Sequence, residues 1–143
     1  MTIISTVRNV NASTDKVWNI VSDVDRDPEF WHGTKSINNI KKEGNTIERE
    51  TTIAFKKSKC REIIRLEDKK RVEIQIIDGP IVGKKTIDLQ SIEKDKTKLT
   101  VKWDIHMKGL MSPFTFFIKN HILKGTEEAI SRIEEKTKVF DHL

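Results

Sequence analysis

A single cysteine, Cys60, leaves the chain without an intramolecular disulfide or a cysteine-based zinc cluster, and makes a reducing cytoplasm the expected compartment. Proline and glycine are equally sparse, at three and six, and no Pro/Gly/Ser-rich linker, internal repeat or low-complexity tract divides the sequence. Long hydrophobic runs are missing too. The most apolar stretch, Phe114 to Leu123, is interrupted by Thr115, Lys119, Asn120 and His121, far short of the ~20 residues that a membrane-crossing helix needs. The opening MTIISTVRNV has no basic segment followed by an apolar block, so no secretory signal is expected. The four histidines, His32, His106, His121 and His142, show no metal-ligand spacing. No glycine-rich phosphate loop occurs, since Gly79-Pro80-Ile81-Val82-Gly83 reads as a turn. Metal and cofactor are therefore not expected, and no catalytic constellation stands out.

What is present is a balance of 36% hydrophobic and 34% charged residues, the mark of a globular domain. The net charge of +5 is unevenly placed. Residues 41–71 hold eleven Lys/Arg against six Asp/Glu, while the rest of the chain balances at sixteen each. Such a segment is either a solvated hairpin whose lysines deter edge pairing or a surface for an anionic membrane or acidic partner. Nucleic acid is disfavoured, because Phe55 is the one aromatic in the segment available for base stacking.

Periodicity orders the elements. Residues 2–10 are rich in β-branched residues and predict a strand. Ser13 is placed to cap a short helix whose inner face is Val17, Trp18, Ile20, Val21 and Val24. Asp27-Pro28 predicts a second short helix, with Asp27 as its cap. From about Lys35 to His106 the period is two, broken by turns at 56–59, 67–71, 78–80 and 94–96. Turns this short predict antiparallel neighbours. The cleanest strand alternates Leu99, Val101, Trp103, Ile105 and Met107 with Thr100, Lys102, Asp104 and His106. After Gly109, Ser112 can cap and Pro113 can open a helix towards Phe140, with a stripe of Phe114, Phe117, Ile118, His121, Ile122, Ala129, Ile130 and Ile133.

This order of elements resembles the helix-grip superfamily of START lipid-transfer domains, birch-pollen-type allergens and bacterial aromatase/cyclases. The sharpest local likeness is VNASTDKVWNIVSDVDRDPEFW, residues 10–31, which is similar to the opening of polyketide cyclase/dehydrase-like and coenzyme Q-binding members. The resemblance implies one α+β domain over residues 1–143. Its curved seven-stranded antiparallel sheet, with two short helices, would wrap a long C-terminal helix. It implies a cavity between sheet and helix for a hydrophobic small molecule such as a lipid, isoprenoid or polycyclic aromatic. With six Phe, three Trp and no Tyr to fill it, the interior has few large side chains. Carrier, cyclase/dehydratase-like enzyme and interaction module remain open as functions on such a fold.

Candidate ligand contacts follow from the predicted inner face. His121 lies on the apolar stripe, so its imidazole is expected to face the sheet, as a core histidine or as a polar contact to a ligand. Arg49 shares a face with Ile47, Ile53 and Phe55. It is read as paired with Glu62 on the next strand, as exposed at the strand end, or as recognising a ligand. Trp103 would line a cavity floor, and Trp31 the entrance, or each would simply pack in the core with Trp18. Met107 to Phe117 would suit a flexible gate or ordinary packing at a helix start.

Overall fold

The computed structural model of the chain describes residues 2–108 and 112–141, with side chains of the last helix described over 117–138. Strand β1 (Thr2–Val10) leads into helix α1 (Thr14–Val21), a 3-10 turn at Val24–Arg26 and helix α2 (Asp27–Phe30). Six strands follow: β2 (Thr34–Glu43), β3 (Thr46–Ile53), β4 (Lys59–Glu67), β5 (Arg71–Asp78), β6 (Ile81–Glu93) and β7 (Lys96–Met107). Helix α3 (Ser112–Asp141) closes the order. The sheet is antiparallel throughout, in the order β1-β7-β6-β5-β4-β3-β2. The seven-stranded helix-grip arrangement expected from the sequence is the one observed.

Local chemistry accounts for the elements. Ser13 accepts from the Lys16 amide at 3.3 Å and caps α1, whose Val17, Trp18, Ile20 and Val21 are buried. Asp27 does not cap: it stands inside α2 with helical backbone, and its carboxylate turns to Arg49. The sheet's concave face carries the apolar alternation. Val72, Ile74 and Ile76 of β5, Ile87 and Leu89 of β6, and Leu99 and Val101 of β7 pack against α1 and against Ala129, Ile130 and Ile133 of α3. Strand β6 begins earlier than the turn read at residues 79–83 implied, since Ile81, Val82 and Gly83 pair with Met107, His106 and Ile105.

Gly83 allows that extension to pair closely with β7. Its φ of +141° is open to glycine, and a Cβ there would lie 2.2 Å from the Asp104 carbonyl oxygen and 2.7 Å from Ile105 Cα. The absent side chain lets β6 lie close against the β7 backbone at Asp104 and Ile105. Gly83→Ala is therefore expected to cost about 2 kcal/mol or more, read as a fall in Tm in a thermal melt. Gly33→Ala, where a Cβ meets nothing within 4 Å, is the control and should leave the Tm nearly unchanged.

Candidate functional site

Antiparallel register lays the concave face out in rows. One row runs Ile47, Ile64, Ile74, Lys85, Trp103, Ile4 across six strands. The neighbouring row runs Arg49, Glu62, Ile76, Gly83, Ile105, Thr2. Charged groups thus occupy the floor of an otherwise apolar surface, directly beneath the short helices.

Arg49, 1% exposed, organises the first group. Its Nε donates to Glu62 Oε1 at 2.9 Å, Nη2 to Asp27 Oδ2 at 2.8 Å, and Nη1 to the Val24 carbonyl at 2.9 Å. The internal Arg49–Glu62 pair considered from the sequence therefore forms, and Asp27 of α2 joins it. Burial disfavours the guanidinium's charge, but the two carboxylates outweigh it and hold the Arg49 pKa above its ordinary value. For Asp27 desolvation wins over the attraction of Arg49 and Lys85, and its pKa is raised.

Lys85 is the second group. It is buried on β6 with its Nζ 3.1 Å from the ring centroid of Trp31 and 4.7 Å from that of Trp103. Among the described residues it makes no hydrogen bond or ion pair; its cation rests on two indole faces. The rings meet edge to face, with centroids 6.3 Å apart. Trp103 is fixed in turn by α3: its Nε1 donates to Thr126 Oγ1 at 3.0 Å, and that hydroxyl donates to the Ile122 carbonyl at 2.7 Å. Desolvation lowers the Lys85 pKa to about 8, against the partial support of Asp27 and Glu62.

Towards the far end of the same face the packing loosens. Ile53, Ile81, Trp103 and Met107 are half-buried, as are Ile118 and Ile122 of α3. Thr126, Ala129, Ile130, Ile133 and Thr137 are buried, whereas no described residue of α3 before Thr126 is. Over residues 117–125 helix α3 therefore buries no side chain, and Ile118 and Ile122 face Ile105 and Met107 across a narrow gap.

The expected site residues divide accordingly. Trp31, Arg49, Glu62 and Trp103 come together in the floor, and Met107 lies at the open end. Phe55 does not share the face of Ile53: the strand ends first, and Phe55 sits half-buried in the 3-10 turn Phe55–Lys57, with Lys56 over its ring. Phe117 is 69% exposed and His121 is exposed rather than turned to the sheet. At 100° per residue, Phe117 lies about 180° and His121 about 140° from Thr126, on the far side of the helix. Gly109, Leu110 and Met111 of the expected gate, the side chains of 112–116, and His142 lie outside the described residues. Lys85 and Asp27 were missed as site residues. The parity of β6, with Ile87 and Leu89 inward, already places Lys85 inward.

A family model described as polyketide cyclase / dehydrase and lipid transport matches residues 10–132. Solved structures share the fold at low identity. The Zhui aromatase/cyclase from Streptomyces sp. R1128 is 11% identical with a TM-score of 0.83, over 96% of this chain and 93% of that one. A START superfamily protein from Mycobacterium smegmatis is 16% identical with a TM-score of 0.75, over 93% and 97%. A conserved protein from Geobacillus kaustophilus is 16% identical with a TM-score of 0.74, over 96% and 95%. No curated protein matches the chain significantly.

Two measurements check the electrostatics. Arg49→Met leaves Glu62 and Asp27 buried without their counter-charge, and a loss of about 3–5 kcal/mol is expected in urea unfolding. Lys85 has a folded pKa of about 8 below its ordinary 10.5, so above pH 8 the unfolded chain holds a proton that the native protein has released. Stability attributable to Lys85 should therefore rise with pH between about 8 and 10.5, by up to roughly 3 kcal/mol. The difference between the wild-type and Lys85→Met unfolding free energies, followed across that window, isolates the effect; a flat difference would contradict it.

Proposed function

Because the chain belongs to the polyketide cyclase / dehydrase and lipid transport family, we propose that it is a single-domain binder of a hydrophobic small molecule, held between the concave sheet face and the first half of α3. The observation that carries this reading is the change in packing along the described part of α3, where no side chain from 117 to 125 is buried and half-buried apolar side chains line the sheet opposite. A wholly closed core would bury those side chains. The charged floor orients a ligand while the apolar walls supply affinity. Burying about 500 Å² of apolar ligand surface yields roughly 12 kcal/mol. Association costs at least about 4 kcal/mol, which leaves a Kd near micromolar. Lipid, isoprenoid and polycyclic ligands reach that area; a compact polar metabolite does not.

Trp31, Trp103 and Met107 are the contacts proposed for the ligand, with Arg49 and Glu62 setting the polarity beneath them. A cyclase or dehydratase-like reaction on a folded chain would use the same floor, but the mutual engagement of Arg49, Glu62 and Asp27 favours holding a ligand over acid/base turnover by those groups. Among the described residues no helix is long and apolar enough to cross a membrane. Native mass spectrometry of the purified protein, followed by organic extraction, is the decisive experiment. A defined co-purifying apolar molecule is expected. Failure to retain any lipid, isoprenoid or polycyclic compound, even when delipidated protein is supplied with them, would overturn the reading.

A further inference from the structure

We propose that Lys85 is a covalent capture site, its ε-amine condensing with the carbonyl carbon of an apolar aldehyde or ketone to form an imine. This rests on the ligand-binding reading above and specifies the chemical class of ligand for that site.

The geometry is that of an amine kept out of the ion-pair network around it. Asp27 and Glu62, the carboxylates that act on Lys85 electrostatically, both hydrogen-bond to Arg49, which is itself the other cation facing it. The lysine nitrogen is left against Trp31 and Trp103. Desolvation and a neighbouring guanidinium are the two influences that turn a lysine into a nucleophile, by favouring its neutral form. The shift of its pKa to about 8 agrees with this. On the same face of β6, Lys85 lies four residues from Ile81, which is half-buried and pairs with Met107 at the less tightly packed end. A ligand lying on that apolar end would bring its polar head to Lys85.

The chemistry balances without a co-reactant. The nitrogen lone pair attacks the carbonyl carbon, and a proton passes from nitrogen to oxygen to give the carbinolamine. The proton that the ammonium first gave up to water to free the lone pair is returned to the carbinolamine hydroxyl, which leaves as water and forms the protonated C=N bond. The sum is ammonium plus carbonyl to protonated imine plus water. The protonated imine keeps the positive charge where the ammonium was, so the indole faces and the two carboxylates that supported the one support the other.

The test uses the full-length protein with 2-naphthaldehyde and dodecanal as probes, trapped by brief exposure to cyanoborohydride at neutral pH and mapped by peptide mass spectrometry. The matched alcohols, 2-naphthalenemethanol and dodecanol, are titrated separately by calorimetry. Occupancy at Lys85 is expected to exceed that at exposed lysines such as Lys59 and Lys94 about tenfold or more. Lys85→Met and Lys85→Arg should lose that adduct and keep the background labelling. If the alcohols bind while Lys85 is labelled no more than the exposed lysines, covalent capture is wrong and the binding reading stands. If neither alcohol binds and Lys85 is unlabelled, both fail. The wild-type map alone decides the matter should the variants not fold.

Discussion

A guanidinium buried as deeply as that of Arg49 must find its counter-charges inside the protein, and it finds them on separate elements. Glu62 lies directly opposite on β4, Asp27 arrives from α2, and the Val24 carbonyl from the turn before it. One side chain thereby ties the entry helices to the middle of the sheet. Such a network gains little over a well-packed apolar substitute, because desolvation consumes most of the Coulomb energy. Its effect is on uniqueness. A one-residue slip of β3 would send Arg49 to the convex face and leave Glu62 and Asp27 buried without a partner. The register of the β3–β4 pair and the seating of α2 are therefore set together.

A second tie runs from the other side. Thr126 of α3 fixes the Trp103 indole, Trp103 and Trp31 hold Lys85, and Arg132 of α3 donates to the Phe30 carbonyl at the end of α2 at 2.8 Å. Helix α2 is thus clamped between the sheet below and α3 alongside. The four buried charges sum to zero: Arg49 and Lys85 against Asp27 and Glu62. Neutrality permits them to share a mostly buried floor. The unequal division of hydrogen bonds leaves the lysine as the member whose charge is easiest to lose. Thr126 is also the first buried residue of α3 among the described side chains, so the unburied stretch 117–125 begins where the clamp stops.

The fold was largely legible because period, caps and turn lengths are backbone matters that the local sequence states directly. Ser13 capping α1, the inward Val17–Trp18 pair and the alternation of β7 all appear as expected. The candidate site was legible only in part. Arg49 and Glu62 follow from strand parity. Asp27 was hidden because an Asp-Pro pair satisfies a capping pattern on its own, while the stronger demand, a buried guanidinium twenty-two residues away, is tertiary. Phe117 and His121 misled because a stripe eight residues wide in composition contains more than one helical face, and contact with the sheet selects among them. Charge gave a similar lesson. Lys42, Lys69 and Arg71 of the basic segment pair with Asp25, Asp15 and Asp88 from outside it, so a bias along the chain is partly undone in space.

That redistribution bears on why the basic segment and the candidate site are better treated apart. Surface ion pairs of this kind contribute about 0–1 kcal/mol each and are screened by salt. The interior quartet is largely buried, and its consequences are correspondingly larger. A ligand that enters beside Lys85 cannot be indifferent to it. A pure hydrocarbon would further desolvate an ammonium that already has no hydrogen bond, opposing part of the gain from its own burial. A ligand with an oxygen at one end offers the amine a partner while its apolar remainder covers the half-buried side chains. On the proposed reading, the floor would favour amphiphilic molecules with a short polar head. The charges such a ligand would meet are the same ones that hold α2 in place, so on that reading ligand preference and architecture share one set of residues.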